Sequence, residues 1–250
     1  MGIKLLNGKV EKTEKGSPSL SPSVPPSLKL NKAMPLRCLI TAGPTREFFD
    51  PVRFVSNPST GKMGFALAKA AKAAGWTVDL VSGPVSLPEP AGVMFYPVVT
   101  AEELMRQTDA LFGPCDILIM TAAVSDWRPK QTLQQKLKKD GTAMSLEMEP
   151  VPDILAAMAA QRKPGQLLVG FAAETENIEE HALEKLKRKK IDLIAANSVA
   201  GVEGAFGNDE NTLILLGNNG FRQVLGPASK DKIADLLIKE ISHIVSARAQ

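Results

Sequence analysis

Short apolar runs alternate with amphipathic stretches along most of this chain, and that alternation limits the fold more than any other feature. The runs at 37–41, 77–82, 93–99, 116–121, 167–171 and 193–196 have the length and apolar content of buried strands. Residues 61–74, 101–112, 153–162, 177–190 and 230–247 carry helical patterns. Repeated strand-then-helix units predict an α/β fold: a Rossmann-like, three-layer architecture with a mostly parallel sheet covered on both faces. Local signals agree. Thr100 and Glu103 form a capping box, the stretch from Asn177 to Glu180 resembles another, and Gly75 stands just past the first helix.

Open α/β sheets bind ligands beyond the carboxyl ends of their strands. Three polar loops begin there, at 43–62, 122–136 and 172–177. The first belongs to T-A-G-P-T-R-E-F-F-D-P-V-R-F-V-S-N-P-S-T-G-K-M-G (41–64). A strand, a Gly/Ser/Thr/Lys loop and a helix start together favour an anionic phosphate, because free N–H groups and the helix dipole converge. The loop is also longer than a connection needs. A Walker A loop would require Gly at 56 and Ser or Thr at 63, where this chain has Ser56 and Met63. A dinucleotide fingerprint would follow the strand directly, and only Gly61 and Gly64 keep its spacing. A helix that opens on glycine to pack closely on the sheet accounts for the same residues.

Two segments depart from the alternation. Residues 136–139 and 142–149 flank Asp140-Gly141, a hairpin turn signal, and Met144, Leu146 and Met148 alternate with polar residues. This predicts an antiparallel hairpin flap. A second hairpin is expected from 212–216 and 221–225 around Asn218-Asn219-Gly220.

Residues 1–35 form a separate tail. Nine of the eleven residues from Ser17 to Ser27 are Ser or Pro, too few apolar groups to offset ordering entropy. The tail is therefore expected to be disordered, with the folded domain at 36–250. Six Lys and two Glu give it +4, so the overall +3 leaves the body at −1. A body without basic excess argues against nucleic acid as a partner. No apolar run reaches membrane-spanning length, so no membrane partner is expected. Two cysteines, Cys38 and Cys115, lie in predicted strands without metal-ligand spacing, as expected of a reduced cytoplasmic protein.

The pattern G-P-T-R-E-x-x-D-P-V-R-x-x-S-N-x-S-x-G-K-M-G resembles the nucleotide-dependent phosphopantothenoylcysteine synthetase family. Further matches are A-A-V-S-D-W (122–127), K-L-K-K (136–139), P-D-I-L (152–155), G-F-A-A-E-T (170–175), Lys185 with Lys189, and a version of G-F-x-N-D-x-N near 204–211 with Ala205 inserted. Where the family often reads K-N-P-D-I, this chain reads Pro150-Val151-Pro152-Asp153-Ile154. The resemblance covers about residues 36–250. It implies a ligase of coenzyme A biosynthesis that joins phosphopantothenate to cysteine through an acyl-nucleotidylate, with CTP as co-substrate, magnesium on the triphosphate, and a homodimer. Carried onto this chain, it implies Asn57 and Lys136 as catalytic residues. Gly43, Ala122, Asp126, Lys136, Pro152, Asp153, Phe171, Lys185 and Lys189 would hold nucleotide, and Asn57 and Arg53 would hold substrate.

The residues alone leave other roles open. Asn57 can simply fix a loop turn, the 136–139 lysines can guard an edge strand, and Lys185 and Lys189 can form a solvated helix face. A nicotinamide-dependent Rossmann oxidoreductase would use Asp79 on the second strand. It leaves the long 43–60 loop unexplained and lacks Tyr-x-x-x-Lys, since the only tyrosine, Tyr96, precedes Pro97. A non-catalytic nucleotide-binding module is the third reading.

Overall fold

A computed structural model describes residues 35–139, 141, 143–198 and 210–248. The elements in chain order are β1 (Arg37–Ala42), β2 (Arg46–Phe48), β3 (Phe54–Ser56), α1 (Lys62–Ala73), β4 (Thr77–Ser82), β5 (Met94–Pro97), α2 (Ala101–Phe112), β6 (Ile117–Met120), β7 (Trp127–Pro129), β8 (Met148–Pro150), α3 (Ile154–Ala160), β9 (Leu167–Glu174), α4 (Ile178–Lys189), β10 (Leu193–Ser198), β11 (Glu210–Gly217), β12 (Arg222–Ser229) and α5 (Lys230–Arg248).

Eight strands form one sheet in the order β12-β11-β10-β9-β6-β1-β4-β5. The six from β10 to β5 are parallel, and β11 and β12 add an antiparallel edge. The chain steps from β1 to β4 on one side and later to β6 on the other. Strand order therefore diverges between β1 and β6, the place where such sheets open a ligand crevice.

The sheet separates two apolar layers. On one face, Phe65, Leu67 and Ala71 of α1 and Ile233, Leu237 and Ile241 of α5 pack on Ile40, Ile119 and Val169. On the other, Leu104 of α2, Ile154 and Met158 of α3 and Leu186 of α4 pack on Leu39, Leu118 and Leu168. Neighbouring positions along β1, β6 and β9 thus face opposite layers, as strand geometry requires. Full burial of each large side chain is worth about 1.5–3 kcal/mol.

Element ends follow local chemistry. Helix α1 closes in a Schellman motif: Gly75 takes a φ of 86°, its N–H reaches the Lys72 carbonyl, and Trp76 N–H reaches that of Ala71. The capping box of α2 forms between Thr100 and Glu103. The box expected at Asn177 does not. Asn177 adopts a left-handed φ of 46° and its side chain caps nothing, because the chain must bend sharply from β9 into α4.

The edge hairpin forms as expected, as β11 and β12. The flap has different arms. Trp127–Pro129 pairs with Met148–Pro150, and a Lys130–Glu147 bond and ion pair of 2.6 Å extends the ladder. Residues 131–139 form no strand. Met144 and Leu146 are exposed, so no apolar partner covers them to reward strand pairing. Asp140 of the expected turn and Thr142 of its second arm lie outside the described residues, as do residues 1–34 and residues 199–209, which include most of the G-F-x-N-D-x-N-like segment. Cys115 sits in the turn before β6 rather than in the strand.

Candidate functional site

The loop after β1 is an ordered antiparallel hairpin docked on its neighbours. Arg46 N–H donates to the Val99 carbonyl, and the buried Glu47 carboxylate accepts from Ala101 N–H at the start of α2. Thr45 Oγ1 accepts from Ser125 N–H, and Thr45 N–H donates to the Ala123 carbonyl. Asn57 Nδ2 donates to the carbonyls of Ala123 at 3.2 Å and Val124 at 3.0 Å. The 43–60 and 122–126 loops are thereby clamped together.

Helix α1 starts at Gly61, with a φ of 74° and no capping side chain. At Gly64 a Cβ would come within 2.5 Å of both the Ala42 Cβ and Thr121 Oγ1. Glycine there lets the helix start descend onto the ends of β1 and β6. Close packing and anion binding are thus compatible readings of one motif: the same approach brings the positive end of the helix to the strand divergence.

A cleft of about 560 Å³ opens at that point, within the usual range for small-molecule sites. Asn57, Gly61, Lys62 and Gly64 line it from the first loop. Ala122 and Asp126 follow β6, Pro152 and Asp153 precede α3, and Phe171 comes from β9. Lys185 and Lys189 reach in from α4, and Lys230 from α5.

The two α4 lysines meet carboxylates. Lys185 Nζ lies 2.5 Å from Glu174 Oε1, and His181 Nδ1 lies 3.6 Å from Glu174 Oε2. Lys189 Nζ lies 3.1 Å from Asp153, which also caps α3 by accepting from Ala156 N–H at 3.0 Å. Asp126 is exposed at the rim, and its backbone carbonyl accepts from Val151 N–H. On the floor, β9 continues to Glu174 along β10, whereas its pairing with β6 ends at Met120 and Gly170. One backbone edge of 171–174 is therefore left without a strand and faces the cleft.

Of the residues singled out from sequence, Asn57, Ala122, Asp126, Pro152, Asp153, Phe171, Lys185 and Lys189 meet in this cleft. Gly43, Arg53 and Lys136 do not line it. Gly43 serves the loop backbone, with a φ of 70° and its carbonyl accepting from Ala123 N–H. Arg53 ties down the flap: it pairs with Asp50 at 3.4 Å and donates to the Leu137 carbonyl at 3.1 Å. Asp50 is fully buried and also accepts from Val52, Arg53 and Leu137 N–H groups. Burial alone would raise its carboxyl, but those three N–H donors and the Arg53 charge hold it below the ordinary 3.8. Lys136, in that flap, is exposed.

Glu174 and Lys230 were missed from sequence. Glu174 stood within G-F-A-A-E-T without an assigned role, and the buried Lys230 looked like an ordinary first residue of a terminal helix. Asp79, the residue an oxidoreductase would need, is buried and held by Arg37 Nε at 2.8 Å and Tyr96 OH at 3.2 Å. It lies opposite Leu39 in the register, toward the strand ends away from the cleft, so it cannot meet a ribose there.

Residues 34–245 match the family described as the DNA/pantothenate metabolism flavoprotein C-terminal domain. The chain is 44% identical over 205 residues to the coenzyme A biosynthesis bifunctional protein CoaBC of Bacillus subtilis strain 168, covering 82% of this chain and 50% of that one. It thus spans about half the length of the curated relatives it matches. The crystal structure of a CoaBC C-terminal domain superimposes with a TM-score of 0.72 and 36% identity, covering 85% of this chain and 96% of that one. The fold also matches a Cab2 mutant in complex with phosphopantothenate-cysteine, at TM-score 0.69 and 18% identity, over 86% and 88% of the two chains.

Proposed function

This chain belongs to the DNA/pantothenate metabolism flavoprotein C-terminal domain family, and from that premise we propose that it is a ligase joining phosphopantothenate to cysteine in coenzyme A biosynthesis. The observation that carries the reading is the convergence of Asn57, Asp126, Phe171, Lys185 and Lys189 on one cleft at the strand divergence. The ligand of the Cab2 complex, phosphopantothenate-cysteine, is the product expected of this reaction.

The substrate carboxylate attacks the α-phosphorus of a nucleoside triphosphate. Pyrophosphate leaves and an acyl-nucleotidylate forms. The cysteine amine then attacks the acyl carbon and the nucleoside monophosphate departs. Neither step needs a protein nucleophile, and both concentrate negative charge that preorganised donors and cations stabilise. Lys185 and Lys189 trade their carboxylate partners for phosphate oxygens, and the start of α1 faces the remaining anionic groups. Asn57 holds the 122–126 loop against the acyl phosphate. For Lys136 to reach the reacting phosphate, the flap must swing about its β7–β8 base.

Magnesium fits this cleft as an ion carried on the triphosphate. Among the described residues no group of three His, Cys, Asp or Glu side chains is arranged to hold a metal, and magnesium usually takes one or two carboxylates plus phosphates and water. Asp126 supplies such a carboxylate at the rim, and the ion would offset charge on the leaving pyrophosphate.

CTP is the proposed nucleotide. The bare backbone edge at 171–174 offers donors and acceptors to a base edge, with Phe171 beside it, and a site that reads polar groups discriminates strongly. The exposed Val52, Phe54 and Val55 of the β2–β3 hairpin support a homodimer. The test supplies phosphopantothenate, cysteine, magnesium and either CTP or ATP, and measures monophosphate and pyrophosphate. CMP and pyrophosphate in equal amounts are expected. Equal or faster turnover with ATP at matched subsaturating concentration would overturn the CTP assignment, and no pyrophosphate with either nucleotide would overturn the ligase reading.

A further inference from the structure

Helix α4 is fastened unequally at its two ends. Its C-terminal end is fixed: Lys190 takes a left-handed φ of 55°, Ile191 N–H reaches the Leu186 carbonyl, and the Ile191 side chain is buried. Its start has no such closure. Asn177 caps nothing, and only Ala182 and Leu186 of the helix are buried. Glu179 stands at i, with Ala182 and Leu186 at i+3 and i+7, so it prolongs that buried stripe toward the start. There it meets Arg222, which opens β12 and lies opposite Leu216 of β11. The pair is bidentate, with Arg222 Nε 2.9 Å from Glu179 Oε2 and Nη2 2.8 Å from Oε1. Two parallel bonds of this kind fix an orientation as well as a distance. The guanidinium holds the Glu179 carboxyl below its ordinary 4.5. The other ionic ties of α4 among the described residues run from His181 and Lys185 to Glu174 and from Lys189 to Asp153. Lys185 and Lys189 line the cleft, and Glu179 and Arg222 do not.

We infer that Glu179 and Arg222 are positioning residues: they anchor the start of α4 to the sheet edge and thereby hold Lys185 at its station in the cleft. The inference rests on the ligase reading for the identity of the anion, a nucleoside triphosphate, and adds two residues outside the cleft. A triphosphate that takes Lys185 from Glu174 and Lys189 from Asp153 removes the ties those lysines give the helix. The Glu179–Arg222 pair is then the bidentate tie that remains at the uncapped end. Six residues of helix, a rise of about 9 Å, separate Glu179 from Lys185, so the pair acts along the helix. Lys189 adjoins the fixed end and depends on the anchor far less. An exposed ion pair usually adds little to folding stability. Here its effect falls on where a lysine stands.

Glu179→Gln, Arg222→Gln, the double variant, the charge swap of Glu179→Arg with Arg222→Glu, and Glu180→Gln are made in the full chain. Binding of CTP and of ATP, each with magnesium, is measured by calorimetry, with thermal melting as the folding control. Both single variants are expected to weaken nucleotide binding about threefold, and the double variant no further. The swap regains part of the loss, and Glu180→Gln, at the exposed neighbouring position, loses nothing. Long-range charge alone gives a different pattern: removing Glu179 tightens an anion and removing Arg222 weakens it. Arg222→Gln leaves the helix dipole its acidic partner, so an equal loss there separates anchoring from a dipole effect. Glu179→Gln is expected to add nothing in a Lys185→Gln background and its full loss in a Lys189→Gln background. In turnover, the KM for nucleotide rises in the same proportion while kcat and the KM for phosphopantothenate hold. Wild-type affinity in both single variants, opposite signs in the two, or an additive loss in the Lys185→Gln background overturns the inference. So does a lower melting temperature with kcat and both KM values impaired alike, which would make the pair merely structural. If no protein forms product, the ligase reading falls while the binding pattern still decides the anchor. A wild type that binds neither nucleotide overturns both.

Discussion

Both amide hydrogens of Asn57 are already committed to the carbonyls of Ala123 and Val124, so the side chain is a clamp before it is anything else. Asn57→Ala is expected to lose about 1–2 kcal/mol of stability from two part-buried hydrogen bonds. Turnover is expected to drop on the order of 10²-fold, as when the loop that positions the reacting groups is displaced. Asn57→Asp should be worse on both measures, because a carboxylate would face two carbonyl oxygens. Thermal melts and single-turnover rates of the two variants check this, and wild-type rates in Asn57→Ala would remove the residue from the reaction. Thr108 presents the opposite case: its buried hydroxyl has no hydrogen-bond partner among the described residues. Thr108→Val keeps the shape and deletes the unpaired group, so melting should rise by the equivalent of about 1 kcal/mol. The two thiols are inert for a shared reason. Burial, with a smaller contribution from nearby acidic groups, pushes Cys115 up to about 12 and Cys38 well above its usual range. Ellman's reagent at pH 8 is expected to label neither in the native protein and both after denaturation.

At the scale of elements, the strands and helices of the alternating core were legible because the central strands are buried on both faces and the helices carry clear apolar stripes. The flap was not. Its sequence shows the alternation and the Asp-Gly signal of a hairpin, but pairing is decided by contacts distant in sequence: Asp50 and Arg53 hold Leu137, while Phe48 and Phe49 carbonyls accept from Thr132 and Leu133. Asn177 misled for a related reason, since a capping motif cannot announce that the chain must turn left-handed there. The Asp50 pin has a pH consequence. Its carboxyl is lowered from 3.8 in the folded state, so the contribution to flap order is complete above the unfolded value and disappears as pH falls through the folded one. Hydrogen exchange in 131–139 should therefore be slow at neutral pH and accelerate selectively below about pH 4. Asp50→Asn should show the fast exchange at every pH while the central strands remain protected; uniform exchange across pH in the wild type would contradict the pin.

For the whole molecule, the sequence motifs located the cleft well because three loops emerge from neighbouring carboxyl ends of one sheet. They located its charges poorly, because a lysine in a motif does not reveal its partner in space. Lys185 meets Glu174 from another element, and Lys189 meets the cap of α3. That arrangement makes the empty cleft a small ion exchanger. On the proposed function, a phosphate chain entering it would displace built-in carboxylates from the two lysines, not a loose atmosphere of bulk anions. Nucleotide affinity should therefore weaken only gently as potassium chloride rises from 50 to 500 mM, a range in which an unshielded lysine cluster would lose most of its attraction. Glu174→Gln should steepen that dependence. It should also let the cleft take up inorganic polyphosphate, which the wild type is expected to reject because a flexible polyanion offers no base contacts to offset the carboxylates it must evict.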